Sequence, residues 1–244
     1  LAGAMVNAGL LGWLRFLPFG DPAAAGLGLL VTGFGLAGAF YGVLVGLAQT
    51  DGRVLLGYSS VSQMGLVAVG VGAGLVAPQA WPVLLAAVLL FAVHHGLAKA
   101  ALFAALDLSQ GPRPRLGRVA LLVPALALIG LPLTSGDLAK AALKAALPAL
   151  PAPWDQILAV ALPLATVGTT LLMARLWFLA APARAGRPTA APALLGLSAL
   201  LLAVLAGPWW LPSLVGQGRG PAVPALRHVC RRHLARLLRS GPGP

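Results

Sequence analysis

Two apolar stretches decide the fold of this chain: FAVHHGLAKAALFAALDLSQ at residues 91–110 and VALLVPALALIGLPLTSGDLAKAAL at residues 119–143. They carry Lys99 and Lys140, and Lys144 follows directly after the second stretch. Nearly all the arginines lie instead between apolar stretches or near the C-terminus. An ionisable residue costs roughly 2.5–3.5 kcal/mol at the centre of a membrane-inserted helix, so such residues are candidates for function. The lysines are the first candidates here.

The composition is that of a membrane protein. Hydrophobic residues make up 59% of the chain and charged residues 9%, and the mean hydropathy is +0.91. Soluble domains carry about 25% charged residues. In lipid, backbone polar groups must pair within the protein, and long apolar runs without two-residue alternation indicate helices. We therefore expect an all-α, polytopic transmembrane helix bundle.

The net charge of +12 does not indicate a nucleic-acid partner, because the basic residues lie singly between apolar segments and cluster only in the C-terminal tail. Cys230 is the single cysteine, which excludes an internal disulfide and a cysteine metal site. We expect no metal site and no cofactor in this chain. The sequence opens inside an apolar run, LAGAMVNAGLLGWLRFL, and we expect it to be a piece of a longer protein.

The apolar segments predict about seven membrane spans. The fifth segment is too long for one straight crossing at about 1.5 Å per residue, and its centre, GLPLTSG at residues 130–136, is a helix breaker. We expect one discontinuous helix, broken near Pro132–Gly136. The predicted spans are residues 1–17, 23–49, 53–77, 82–108, 118–150, 156–181 and 190–215.

Loop charges predict the orientation. If residues 50–53 are cytoplasmic, that side receives most of the arginines in the loops, as the positive-inside rule requires. The basic tail would then emerge on the opposite side after seven spans, and the sequence leaves this conflict open. Tail residues 225–239 fit either an interfacial helix on anionic lipid or a disordered end. In the second span, Gly38, Gly42 and Gly46 predict a small-residue stripe for close helix packing.

Four motifs follow one another along the chain: AQTD at residues 48–51, GYSSVSQMG at 57–65, HGLAK at 95–99, and GLPLTSG with Lys140 at 130–140. In content and order they resemble the antiporter-like membrane subunits of respiratory complex I, of multisubunit Na+/H+ antiporters and of membrane-bound hydrogenases. The resemblance extends from residue 1 to about residue 180.

The resemblance implies a family fold of about fourteen helices, with two inverted five-helix repeats that each contain a broken helix. Protons or Na+ would cross through buried lysines, histidines and water. This chain would then comprise a remnant of the first repeat (1–17), the second repeat (18–187), a final helix (188–215) and a basic tail (216–244). Expected partners are other membrane subunits, the lipid bilayer and protons or Na+, in a bacterial-type inner membrane.

Some positions depart from the family pattern. Asn7 stands where many members have lysine, and Phe91 stands where some have a further histidine. His94 is an additional histidine, and Asp137 replaces a common phenylalanine.

Lys99 and His95 form the first predicted site. They lie one helical turn apart on the same face, and a buried lysine beside a histidine can pass a proton near neutral pH. The alternative is that Lys99 snorkels to the interface.

Lys140 forms the second predicted site, because a helix broken in mid-membrane exposes carbonyl groups and admits water. A positive charge near the N-terminus of the second half-helix is unfavourable, and Asp137 is the expected counter-ion. The predicted proton pathway is thus His95, Lys99, Lys140 and Asp137.

Other polar residues are secondary pathway candidates. Lys144 could instead snorkel to the interface, and for His94 a hydrogen-bonded packing role is favoured over a ligand role. The polar groups of residues 59–63 could wet the path or bond across helices. The secondary candidates are Lys144, Asn7, Ser59, Ser62, Gln63 and His94.

Three hypotheses for function follow. The first is a proton- or Na+-translocating antiporter-like subunit, or its C-terminal part, in a membrane redox or antiporter complex of the NADH-quinone oxidoreductase type. The second is a non-conducting structural subunit that docks partner subunits. The third, a membrane enzyme using His94 and His95, is less favoured because no nucleophile, metal set or nucleotide loop stands in the sequence. We expect no redox or hydrolytic site in this chain.

Overall fold

The computed structural model describes residues 4–111, 113–132, 134–145, 150–180, 191–215, 232 and 235, and in these ranges it consists of helices and short connections. The all-α prediction is confirmed. The helices are α1 (Ala4–Phe16), α2 (Ala25–Leu47), α3 (Gly52–Val76), α4 (Trp81–Ser109), α5 (Pro114–Ile129), α6 (Ser135–Ala145), α7 (Trp154–Leu179) and α8 (Ala191–Val215).

Four helical segments are long and apolar enough to cross a membrane alone: Pro22–Leu47, Gly52–Val76, Pro78–Ser109 and Trp154–Leu179. The predicted count of about seven also included α1, the α5–α6 pair and α8, and within the described residues these do not meet the same criterion. The α5–α6 pair fails because its helices have only 16 and 11 residues. The predicted domain boundaries remain predictions, and nearly all of the tail at 216–244 lies outside the described residues.

The predicted break in the fifth segment is present. Helix α5 ends at Ile129 and α6 begins at Ser135. The break therefore begins two residues earlier than predicted, and Gly136 belongs to the second half-helix.

The α2–α3 pair packs through glycines, and the predicted stripe is present in part: a Cβ on Gly42 would lie 2.5 Å from the backbone nitrogen of Ser62, and one on Gly46 would lie 3.2 Å from the Cβ of Tyr58. Gly38 faces open space, with nothing within 4 Å of an added Cβ. A Cβ on Gly28 would lie 2.7 Å from the carbonyl oxygen of Gly72, and one on Gly35 would lie 2.8 Å from that of Gly65. The glycines in closest contact with α3 are thus seven residues apart. Seven residues are two helical turns, so these glycines lie on the one face of α2 that is buried against α3.

One end of the bundle collects basic residues. Asp51 caps α3 by accepting hydrogen bonds from the backbone N–H groups of Arg53 (2.6 Å) and Val54 (3.2 Å). Arg53 also forms a surface ion pair of 2.6 Å with Asp107, near the end of α4. At the same end, Arg175 donates to the carbonyl oxygen of Gln49 at 2.7 and 3.0 Å. Arg175 therefore ties α7 to the connection that carries the AQTD motif.

Candidate functional site

The end of α5 is shaped by Gly130, whose φ of +92° is left-handed. The N–H of Leu131 donates to the carbonyl oxygen of Leu126 at 3.0 Å, and the N–H of Gly130 donates to that of Ala127 at 3.1 Å. This pair of bonds is a Schellman cap. It uses the carbonyl groups of Leu126 and Ala127 and leaves those of Leu128 and Ile129 for another donor.

That donor is Lys140. Its Nζ lies 3.1 Å from the carbonyl oxygen of Leu128 and 2.6 Å from that of Ile129. The last carbonyls of a helix carry partial negative charge, so an ammonium group there is favourable. Sequence reasoning considered only the unfavourable N-terminus of α6. It missed that the side chain reaches back across the break to the C-terminus of α5.

Lys140 faces a cavity of about 370 Å³ that is also lined by Asp137, Lys144 and Thr166. Asp137 is partly buried, and its charge acts on Lys140. Lys144 is exposed, in line with the alternative that it extends to an interface. The structure thus brings Lys140, Lys144 and Asp137 to one cavity beside the helix break, whose remaining lining is mostly apolar.

Lys99 lies on α4 and is completely buried, at 0% exposure. Its Nζ donates to the carbonyl oxygen of Leu56 on α3 at 2.9 Å, and the hydroxyl of Ser60 donates to the same oxygen at 3.1 Å. The ammonium group therefore ends inside the bundle, in contrast to the snorkelling alternative.

His95 is also at 0% exposure. Within the part of the chain that the structure describes, neither ring nitrogen of His95 has a hydrogen-bond partner, and neither do the hydroxyls of Ser59 and Ser62. Buried polar groups are nearly always hydrogen-bonded, to water where the protein offers no partner. These side chains are therefore suited to contact internal water.

His94 points to the helix break. Its Nδ1 and the hydroxyl oxygen of Ser135, the first residue of α6, are 2.7 Å apart. The hydroxyl of Ser135 also lies 3.4 Å from the carbonyl oxygen of Val204 on α8. The charge of Lys140 acts on the His94 ring, which shows that the two residues are near each other. His94 thus has a buried hydrogen-bond partner that no sequence signal identified, and its packing role stays a prediction.

Two secondary candidates bond across helices. The side-chain amide of Gln63 on α3 donates to the hydroxyl of Thr169 on α7 at 2.9 Å. The side-chain amide of Asn7 donates to the carbonyl oxygen of Ala92 on α4 at 3.2 Å, one turn before His95. Thr169 and Ala92 are site neighbours that sequence reasoning did not single out.

The candidate residues form two centres, one around Lys99 and one around Lys140. Adjacent residues of α4 connect them, because His95 lies one turn from Lys99 and His94 bonds to the start of α6. Among the described residues, no group of three or more His, Cys, Asp or Glu could hold a metal ion. The arrangement is suited to proton or cation transfer.

The comparisons with known proteins agree with this arrangement. A family model described as NADH:quinone oxidoreductase/Mrp antiporter, TM, matches residues 1–166. The chain belongs to this family. Membership in this transmembrane family, with its apolar helices, makes the chain a multi-pass membrane protein.

One curated relative of this antiporter family member is NADH-quinone oxidoreductase subunit M of Pseudomonas aeruginosa. It is 39% identical over 104 residues, which are 42% of this chain and 19% of the relative. The chain thus matches only about a fifth of that relative's length.

Two solved structures share the fold. A chain in the structure of the Mrp complex from Dietzia sp. DQ12-45-1b aligns with a TM-score of 0.72 and 21% identity, covering 98% of this chain and 30% of the other. A chain of the membrane-bound sulfane sulfur reductase, an archaeal respiratory membrane complex, aligns with a TM-score of 0.61 and 19% identity, covering 87% and 45%. At these identities the likeness concerns the fold.

Proposed function

We propose that this chain is part of an antiporter-like subunit that moves protons, or Na+, through buried lysines, histidines and internal water. One observation carries the proposal. The ammonium group of Lys140 rests on the open carbonyls of a broken helix beside a cavity that Asp137 and Lys144 also line. Half-helix ends of this kind hold coupling ions in membrane transporters.

Each residue of the pathway has a distinct part. Lys99 holds a proton at its Nζ against the Leu56 carbonyl oxygen. Lys99 can release this proton to an adjacent water. One ring nitrogen of His95 can then accept a proton from that water, while its other ring nitrogen donates a proton to a second water on the opposite side of the ring. Lys140 then accepts a proton and returns to the carbonyls of Leu128 and Ile129. Asp137 lines the same cavity as Lys140 and supplies a carboxylate counter-ion for the cation.

The names of the relatives support a proposal for the membrane and the partner subunits of this chain. Since they are named as subunits of NADH-quinone oxidoreductase and of the Mrp complex, the partners would be other membrane subunits in a bacterial-type inner membrane. The chain would need no cofactor of its own, because redox chemistry would take place in partner subunits and reach this one as a conformational or electrostatic change.

Flux measurements in reconstituted vesicles test the proposal, using the complete subunit in its complex. Lys140→Ala should lower proton or Na+ flux by about tenfold or more, since a positioned proton carrier contributes roughly 10²–10⁴ in rate. Ser198→Ala is the control, because this exposed serine of α8 lies outside the cavity, and its flux should stay within about twofold of the unchanged protein. Unchanged flux in Lys140→Ala would support the non-conducting structural alternative instead.

A further inference from the structure

A second cavity lies between α5 and α7, away from the lysines. It has a volume of about 350 Å³ and is lined almost entirely by apolar side chains, among them Leu122, Ala125, Met173 and Ala174. Thr170 is its polar lining residue, and the hydroxyl of Thr170 already donates to the carbonyl oxygen of Thr166 at 2.9 Å. The groove between Leu121 and Ala174 is therefore predominantly apolar.

The groove is open on one side. Leu122 and Phe178, from its two walls, are 41% and 78% exposed, and α7 is one of the segments able to cross a membrane. From Leu121 to Ile129 the α5 wall rises about 12 Å at 1.5 Å per residue, close to the roughly 15 Å depth of one leaflet's hydrocarbon. This length and polarity suit an acyl chain.

The groove ends at a guanidinium group. Arg118 lies one turn before Leu121 and Leu122, and its guanidinium carbon is 4.7 Å from the centroid of the Trp177 ring, which lines the groove. The Nε of Arg118 is buried and has no hydrogen-bond partner among the described residues. Stacking on Trp177 orients the planar guanidinium, and an oriented guanidinium recognises phosphate through paired N–H donors.

From this geometry we infer that the α5–α7 groove binds an anionic phospholipid, with an acyl chain between Ala125 and Ala174 and the phosphate on Arg118. Arg113 and Arg115 lie within two turns of Arg118 and are exposed. Their charge is diffuse at the surface, whereas the guanidinium of Arg118 is held against the Trp177 ring that lines the groove. The occupant is a lipid rather than a partner helix because the groove joins an apolar cleft to a cationic guanidinium group that Trp177 orients.

Photo-crosslinking in the intact complex tests this inference. Phe178 is replaced by p-benzoylphenylalanine, cells are irradiated, and mass spectrometry identifies what is attached to the α7 peptide. We expect an adduct with an anionic phospholipid, enriched at least about threefold over its share of the bulk membrane, as about 0.7 kcal/mol of preference would give.

Variants separate the headgroup contact from the groove. Arg118→Gln should reduce the anionic share of the adducts to that of the bulk membrane, whereas Arg115→Gln, an exposed arginine on the same helix, should leave the enrichment in place. Ala125→Leu fills the groove and should lower the adduct yield for every lipid. It keeps the inference testable if Arg118→Gln does not assemble. A polypeptide adduct would identify a subunit interface and overturn the inference, and so would lipid adducts of bulk composition in the unchanged chain.

Discussion

The Nζ of Lys140 lies 2.6 Å from the carbonyl oxygen of Ile129, on the other side of the helix break. A lysine on α6 therefore completes the capping of α5, and the group that we propose to carry the proton is also a structural link between the two half-helices. Transport and stability are expected to be coupled at this residue.

Lys140→Met should lower both flux and stability. The methionine has a similar length but no donor, so the carbonyls of Leu128 and Ile129 lose their charged partner, at a cost of about 1–3 kcal/mol. Thermal unfolding of the purified complex in detergent should show a lower midpoint for this variant. Lys144→Met, at the exposed lysine, should leave the midpoint unchanged; an equal drop in both variants would contradict the capping role.

Lys99→Met should affect transport without lowering stability. The acceptor of Lys99, the carbonyl oxygen of Leu56, retains the hydrogen bond from Ser60. Replacing a buried charge by an apolar side chain of similar volume is often neutral or stabilising by about 1–4 kcal/mol. We therefore expect an unchanged or higher unfolding midpoint together with loss of proton flux in vesicles. A clear loss of stability with normal flux would make Lys99 a structural residue.

Gly130→Ala should destabilise the break. The left-handed φ of +92° costs an alanine about 1–2 kcal/mol, and the added Cβ would lie 3.2 Å from the Cδ of Lys140. Gly38→Ala is the control, because that glycine is helical and has open space around it. There alanine should stabilise by about 0.5–1 kcal/mol. A lower unfolding midpoint for Gly130→Ala together with a higher one for Gly38→Ala would confirm both predictions. Shifts in the same direction would contradict them.

Ser135→Ala tests the link between α4 and α6. Loss of the hydroxyl leaves the buried Nδ1 of His94 without its partner at 2.7 Å, which should cost about 1–3 kcal/mol. It should also lower flux by loosening the start of α6. The control is Ser198→Ala, an exposed serine whose hydroxyl bonds only within α8. If the two variants unfold at the same temperature, the His94–Ser135 bond is not a structural link.

The helices and the broken segment could be predicted from the sequence because apolar length, prolines and glycines are local signals. The position of Lys140 after the break was likewise predicted. Its partners were not, since the carbonyls of Leu128 and Ile129 leave no side-chain signature. The prediction that Gly38 lies in the contact between α2 and α3 was wrong. Glycines occupy several faces of α2, and the sequence alone does not show which face packs against α3. The partners of His94 and Gln63 depend on helix–helix geometry and could not be predicted.

The backbone-to-backbone approach at Gly28 and Gly35 leaves no side-chain layer in which α2 and α3 could slide. The two helices must therefore translate and tilt as one rigid unit, and the carbonyl oxygen of Leu56 on α3 belongs to that unit. If the distance between the Nζ of Lys99 and the carbonyl oxygen of Leu56 changes during a transport cycle, α4 or the half-helices α5 and α6 must move. Helices α2 and α3 then stay fixed relative to each other.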